Sequence, residues 1–125
     1  MKQKIFTVAT VLFALMFING GLNKFFNYIP VPPDLPAELV KVNTALMEIA
    51  WLMPLIALVE LIGGILLLIP KFRALGAIMI FPIMVGIVHI HATVALSGLP
   101  LSVILALILL WIMWENRIKY LQLIK

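Results

Sequence analysis

Four stretches of this chain, residues 5–26, 51–69, 74–96 and 99–114, are apolar for close to the length at which an α-helix crosses a bilayer. A hydrocarbon core about 30 Å thick calls for about 20 residues at about 1.5 Å per residue. Backbone in that medium must satisfy its own polar groups, so each stretch is predicted to be helical. The alternating polarity that a membrane barrel would need is missing. With 65% hydrophobic and only 11% charged residues, and a mean hydropathy of +1.22, the 125-residue chain reads as an integral membrane protein. The four stretches use most of it. A single transmembrane domain over residues 1–125 is therefore expected, with any chemistry inside the bundle or at its mouth.

Charge sets the expected topology. Lys2 and Lys4 precede the first stretch, Lys71 and Arg73 separate the second from the third, and Arg117, Lys119 and Lys125 follow the fourth. Four crossings place these seven of the nine basic residues on one side, which the positive-inside rule makes the cytoplasm, together with both termini. Once topology accounts for the charges, no basic surface is left to read nucleic acid. The lysine-flanked start is similar to a secretory signal, but its apolar run is too long and lacks an A-x-A site, so a retained helix is expected. The chain has no cysteine, which excludes disulfides, thiol relays, Cys-ligated zinc and iron–sulfur clusters held by its own side chains.

The first outer loop, roughly residues 28–50, follows "INGGLNKFFNYIPVPPDLP". Prolines 30, 32, 33 and 36 favour a stiff, extended connector. Beyond it Leu39, Val42, Leu46 and Ile49 recur at helical spacing with Glu38, Lys41 and Glu48 off the stripe, which predicts a short amphipathic helix on the outer surface. Pro54 is expected to bend the start of the second stretch. "PKFR" and "SGLP" read as tight inner and outer turns. Tyr28 and Trp51 fall near the outer interface, and Trp111, Trp114 and Tyr120 near the inner one, as aromatic belts do.

Few polar side chains remain at membrane depth: Asn19, Asn23, Lys24, Glu60, His89 and His91, with Glu48 at the outer rim. Counting from the cytoplasmic helix ends puts Glu60 about 15 Å deep, Asn19 and His89 about 21 to 23 Å, and Lys24 about 28 Å. That gradient predicts a pocket opening outward, lined or rimmed by these residues. Asn19 and Asn23, four apart, share a helix face; Pro82, Gly86, His89 and Thr93 share another. His91 points nearly opposite to His89, so the pair cannot chelate one metal from a regular helix and no metal site is predicted.

Ala57, Glu60, Gly63, Gly64 and Leu67 form a third face, whose small residues let a second helix approach. Glu60 therefore points into a helix interface, at a depth similar to that of Pro82, whose ring frees the carbonyl of Ile78. An ionised group at the bilayer centre costs at least about 2.5 to 3.5 kcal/mol. The carboxyl must then be protonated, paired, or in contact with a ligand. His89 or Asn19 reaches it if the helices are staggered, and Lys24 and Glu48 either pair at the outer mouth or contact a ligand. For Glu60, His89 and His91 alike, an interhelical hydrogen bond that only fixes packing is the alternative.

A first helix ending in "GGLNK", a second carrying "VELIGGILLLIP", the basic turn "KFRALG" and a histidine in the third together resemble the DoxX-like family of small membrane proteins, over nearly the whole chain. The resemblance implies an all-α four-helix bundle in the bacterial cytoplasmic (inner) membrane, associated with quinone-linked redox systems. Lys24, Glu60 and His89 line up with the family's recurrent polar residues. Related redox bundles use cysteine pairs, which this chain lacks, so direct thiol oxidation is excluded and quinone chemistry, or none, is left. The implied function is binding of the head of a lipid-soluble quinone or another amphipathic molecule, with Glu60 and His89 exchanging protons. Electrons would come from a redox partner subunit holding flavin, haem or an iron–sulfur centre. Two other readings stand beside it: a noncatalytic subunit or assembly factor docking through its small-residue face, and, with fewer matching features, a proton-coupled exporter of small cations. Self-association into a homo-oligomer is expected.

Overall fold

In a computed structural model, which describes residues 1–30 and 32–124, the chain forms α1 (Lys2–Phe26), α2 (Ala37–Glu48), α3 (Leu52–Leu68), α4 (Arg73–Thr93), α5 (Leu99–Glu115) and α6 (Arg117–Leu121). Short 3-10 turns occupy Pro70–Phe72, Leu96–Gly98 and Gln122–Ile124. Val31 of the connector and Lys125 of the basic set lie outside the described residues. Among the described residues there is no strand.

Local chemistry explains the end of α1. α1 stops where Asn27 takes the left-handed conformation, φ 52° and ψ 46°, and its N–H closes on the Asn23 carbonyl. Asparagine is one of the few residues that accept this geometry, and the prolines beyond cannot continue a helix. α4 stops at Thr93, three residues before the predicted end, with the Val94 N–H closing on the Ile90 carbonyl, and residues 96–98 form a 3-10 turn. Pro54 does not cause the expected bend. It sits in the first turn of α3, where its missing N–H has no helical partner to lose. The chain turns by 93° one step earlier, between α2 and α3.

Among the described residues, three helical stretches are long and apolar enough to cross a bilayer: Lys2–Phe26, Pro70–Thr93 and Leu96–Glu115. α2 and α3 meet that test only together, so a fourth span exists if the bent pair is counted as one. Large side chains such as Leu12, Leu58, Leu75 and Leu107 are about half exposed, the inverse of a water-soluble protein's surface and what a lipid environment favours.

Glycine brings neighbouring helices together. α1 and α3 run antiparallel, with Gly64 against Ala14 and Ile18, and Gly21 against Ala57 and Leu61. α3 and α4 are antiparallel as well, with Gly76 seated on Gly63 and Leu67. α5 follows α4 back and reaches α1 through an edge-to-face contact of Phe6 with Trp111, 5.1 Å between ring centroids. Phe13, Leu67, Ile80, Leu109 and Ile112, one or more from each of α1, α3, α4 and α5, are sealed in the common core. The buried residues of α3 are Ala57, Glu60, Gly63, Gly64 and Leu67, the face read from the sequence. Its small residues are spent between α1 and α4 within the chain, so they do not form the docking face that the assembly-factor reading relied on.

At the opposite end from α2, side chains close the helix ends. Arg73 Nε donates to the Leu67 carbonyl at 2.8 Å, Tyr120 donates to the Ala74 carbonyl at 2.7 Å, and Lys119 donates to the Lys71 carbonyl at 3.3 Å. Lys2, Lys4, Lys71, Arg73, Arg117 and Lys119 thereby gather at one end of the molecule.

Candidate functional site

Glu60 lies in the middle of α3, on the face turned toward α1, and its side chain is 5% exposed. The opposing residue on α1 is Gly20; a Cβ there would sit 3.4 Å from Oε2, in van der Waals contact with the carboxylate. One turn further along α1, Lys24 reaches back and places Nζ 2.6 Å from Oε1, with its own side chain 27% exposed. Oε1 is shut off from solvent and has no hydrogen bond of directional geometry, so at this distance the contact is held by charge. It is the only ion pair among the described residues. Lys24 also stands in the last turn of α1, where the partial negative charge of the helix terminus favours a cation. Of the three fates open to a carboxyl at this depth, the fold provides pairing.

The pair opens on a cavity of about 460 Å³ between α1, α2, α3 and α4. Met53, Ile56, Ile83 and Ile87 supply apolar wall, Asn43 and Leu46 of α2 contribute one side, and Pro82 and Gly86 of α4 another. A Cβ on Gly86 would meet nothing within 4 Å, so the glycine borders open space. Mostly apolar walls with a few convergent polar groups, at this volume, are the ordinary features of a small-molecule site. Two depressions of about 540 and 630 Å³ are larger, but each is an apolar groove along α5 with a single basic side chain. The 460 Å³ cavity is the one that joins opposite charges to an apolar enclosure.

The remaining candidates do not join it. Tyr28 donates its hydroxyl to Asn19, at the side-chain oxygen and, at 3.0 Å, at the backbone carbonyl. The Asn23 side chain accepts from the Ile29 N–H at 2.8 Å. Both amides fasten the connector to the end of α1, and neither lines the cavity. Glu48 is exposed at the end of α2 and takes no part in an ion pair among the described residues, so of the two readings of Lys24 and Glu48 the mutual pair does not form. Lys24 goes instead to the buried carboxylate, where an unpaired charge would cost more.

His89 does not reach Glu60. Its Nδ1 donates to the Val85 carbonyl at 2.7 Å, and its ring lies in a separate groove of about 280 Å³ between α4 and α5, with Phe81, Val88 and Ala106. His91 Nδ1 donates to the Ile87 carbonyl at 2.8 Å, and its ring covers Gly98. Among the described residues no three His, Asp or Glu side chains converge as ligands would. The sequence reading missed Asn43, Met53 and Ile56. Asn43 falls beside the apolar stripe of the amphipathic helix, and only the 93° turn brings that edge over the cavity.

The family model described as DoxX matches residues 6–96, well over half of the chain. Over 61 residues the chain is 39% identical to "Uncharacterized protein YwoB" of Bacillus subtilis (strain 168), a match covering 49% of this chain and 40% of that one. The matched stretch is thus about two fifths of the length of this curated relative. No solved structure matches the chain.

Proposed function

The chain belongs to the DoxX family, and from that premise we propose that it binds the head of a lipid-soluble quinone, or of a similar amphipathic molecule, at the Lys24–Glu60 pair as part of a membrane redox system. In this reading α1, α3, α4 and α5 are the four spans of a bundle in the bacterial cytoplasmic membrane, with both termini and the basic end on the cytoplasmic side. The observation that carries the proposal is the 460 Å³ cavity, apolar in its walls and floored by a paired cation and carboxylate.

The donor set fits such a head. The Lys24 ammonium can donate to a carbonyl oxygen, the Glu60 carboxylate can accept from a hydroxyl, and the isoleucines around them exclude water from the ring. A bound quinone would supply two-electron, two-proton chemistry, its electrons coming from a redox partner subunit that holds flavin, haem or an iron–sulfur centre. This chain's own part is to hold and orient the head and to hold a proton. When Lys24 turns to another acceptor, Glu60 keeps an uncompensated charge at membrane depth, which a proton at its carboxylate neutralises. His89, on another side of α4, stands outside this proton path.

Mass spectrometry of the gently solubilised protein tests the proposal. Wild-type protein is expected to retain quinone, and Glu60→Gln to lose it by about tenfold, the effect of removing one charge-assisted hydrogen bond. Gly86→Leu, which pushes a side chain into the open space while leaving the ion pair intact, should lose it as well. Gly86→Ala should bind normally and melt slightly higher, by up to about 1 kcal/mol of helix propensity. A wild-type protein that carries no quinone, with quinol turnover in membranes indifferent to Glu60→Gln and Gly86→Leu, would rule the site out.

A further inference from the structure

We infer that the groove between α1 and α5 is a second binding site, for one anionic phospholipid with an acyl chain along the groove and its phosphate at Lys4. This site is about 540 Å³ and is walled by Ile5, Val8, Leu12, Met16, Leu101 and Ile108. Lys4 is its only charged lining residue and stands at one end.

Three observations select the occupant. The first is length. From Lys4 to Met16 the helix rises about 18 Å, close to the depth of one leaflet in a hydrocarbon core about 30 Å thick. An extended acyl chain lies along such a groove when its headgroup is level with Lys4.

The second is charge. Lys4 has no anionic partner among the described residues, and it belongs to the end where Lys2, Lys71, Arg73, Arg117 and Lys119 also collect. The one acid near that end, Glu115, already accepts from the Trp111 indole at 3.3 Å. Basic pockets between membrane helices hold anionic headgroups for this reason.

The third is contrast. The larger groove along α5 also carries one cation, Arg117, but that guanidinium stacks on Trp114 at 4.4 Å from the ring centroid and donates to the Trp114 carbonyl at 2.9 Å. Its cation is engaged, whereas that of Lys4 is free for a phosphate. The Lys4 groove lies near the opposite end of α1 from Lys24, so its occupancy does not depend on what the Lys24–Glu60 cavity holds.

The test uses the full chain in vesicles of phosphatidylcholine mixed with equal phosphatidylglycerol, followed by gentle extraction and native mass spectrometry of the retained lipid. Phosphatidylglycerol is expected to be retained about fivefold over phosphatidylcholine, the effect of one lysine at a membrane surface. Lys4→Gln should bring the ratio near even, and Lys4→Arg should preserve it. Ala9→Phe, which fills the groove, should lower retention of both lipids. Lys4 is an exposed side chain in the first turn of α1, so the headgroup comparison stands even where Ala9→Phe perturbs packing. An even ratio in wild-type protein, an unchanged ratio in Lys4→Gln, or full lipid retention in a folded Ala9→Phe protein would overturn the assignment.

Discussion

Lys24→Met is expected to destabilise the protein by about 3 kcal/mol, the lower end of the range for removing one partner of a buried ion pair. The lower end applies because Lys24 is 27% exposed whereas Glu60 is 5% exposed. Methionine keeps the apolar stem, so the loss isolates the charge. Glu60→Gln should cost less, because the stranded ammonium lies near the helix end and can extend toward water. The double variant Lys24→Met/Glu60→Gln should recover most of the stability lost in Lys24→Met, since no buried ion is then left alone. Thermal unfolding in detergent, followed by helical circular dichroism, ranks the three. If Lys24→Met melts at the wild-type temperature, or if the double variant is the least stable, the pair does not hold α1 to α3.

The second large effect is expected at Gly76. A Cβ there would come within 2.6 Å of the Gly63 carbonyl oxygen and 2.9 Å of the Leu67 nitrogen, both of them backbone atoms with nowhere to go. Gly76→Ala must therefore push α3 and α4 apart, at the upper end of the roughly 1 to 3 kcal/mol typical of overpacking. At Gly63 the nearest atoms, at 2.8 and 3.0 Å, are the side-chain carbons Cγ1 and Cδ1 of Ile80, and the nearest backbone atom, the Gly76 carbonyl oxygen, is 3.3 Å away. Gly63→Ala should be milder, and Gly86→Ala, which faces open space, should not destabilise at all. The predicted order of melting temperatures is Gly86→Ala, then Gly63→Ala, then Gly76→Ala. A Gly76→Ala protein as stable as the wild type would contradict the close approach of the two helices.

The buried face of α3 was legible in the sequence because it needs only the helical repeat: Ala57, Glu60, Gly63, Gly64 and Leu67 sit on one side whatever packs there. The partner of Glu60 was not, because depth counted from each helix end assumes that the ends are level. Gly64 packs beside Ala14 and Ile18, so α3 ends level with the third turn of α1, and the first turns of α1 run on past it. That offset brings Glu60 level with Gly20 and within reach of a lysine one turn away. His89 failed for a related reason. It stands at the edge of the Pro82–Gly86 face, and contact with α5 decides to which side an edge residue belongs. The amides of Asn19 and Asn23 read as pocket polarity because the turn they serve, through Tyr28 and Ile29, has no signature in residue spacing.

If α3 crosses the membrane as proposed, the sharp turn ahead of it sets how this protein meets its bilayer. α3 has 17 helical residues, a rise of about 25 Å, and α2 leaves it at 93°, so an upright α3 lays α2 nearly flat along the membrane surface. On this flank the apolar height is about 5 Å short of an average hydrocarbon slab, whereas the 25-residue α1 exceeds it. Lipids beside α2 must thin to meet the mismatch, at a cost of fractions of a kcal/mol per ångström. With α3 as the proposed fourth span, the protein is wedge-shaped toward its lipid annulus and suits thin membranes. A tail-bearing molecule arriving on the pinched side has the shortest descent to the buried charges.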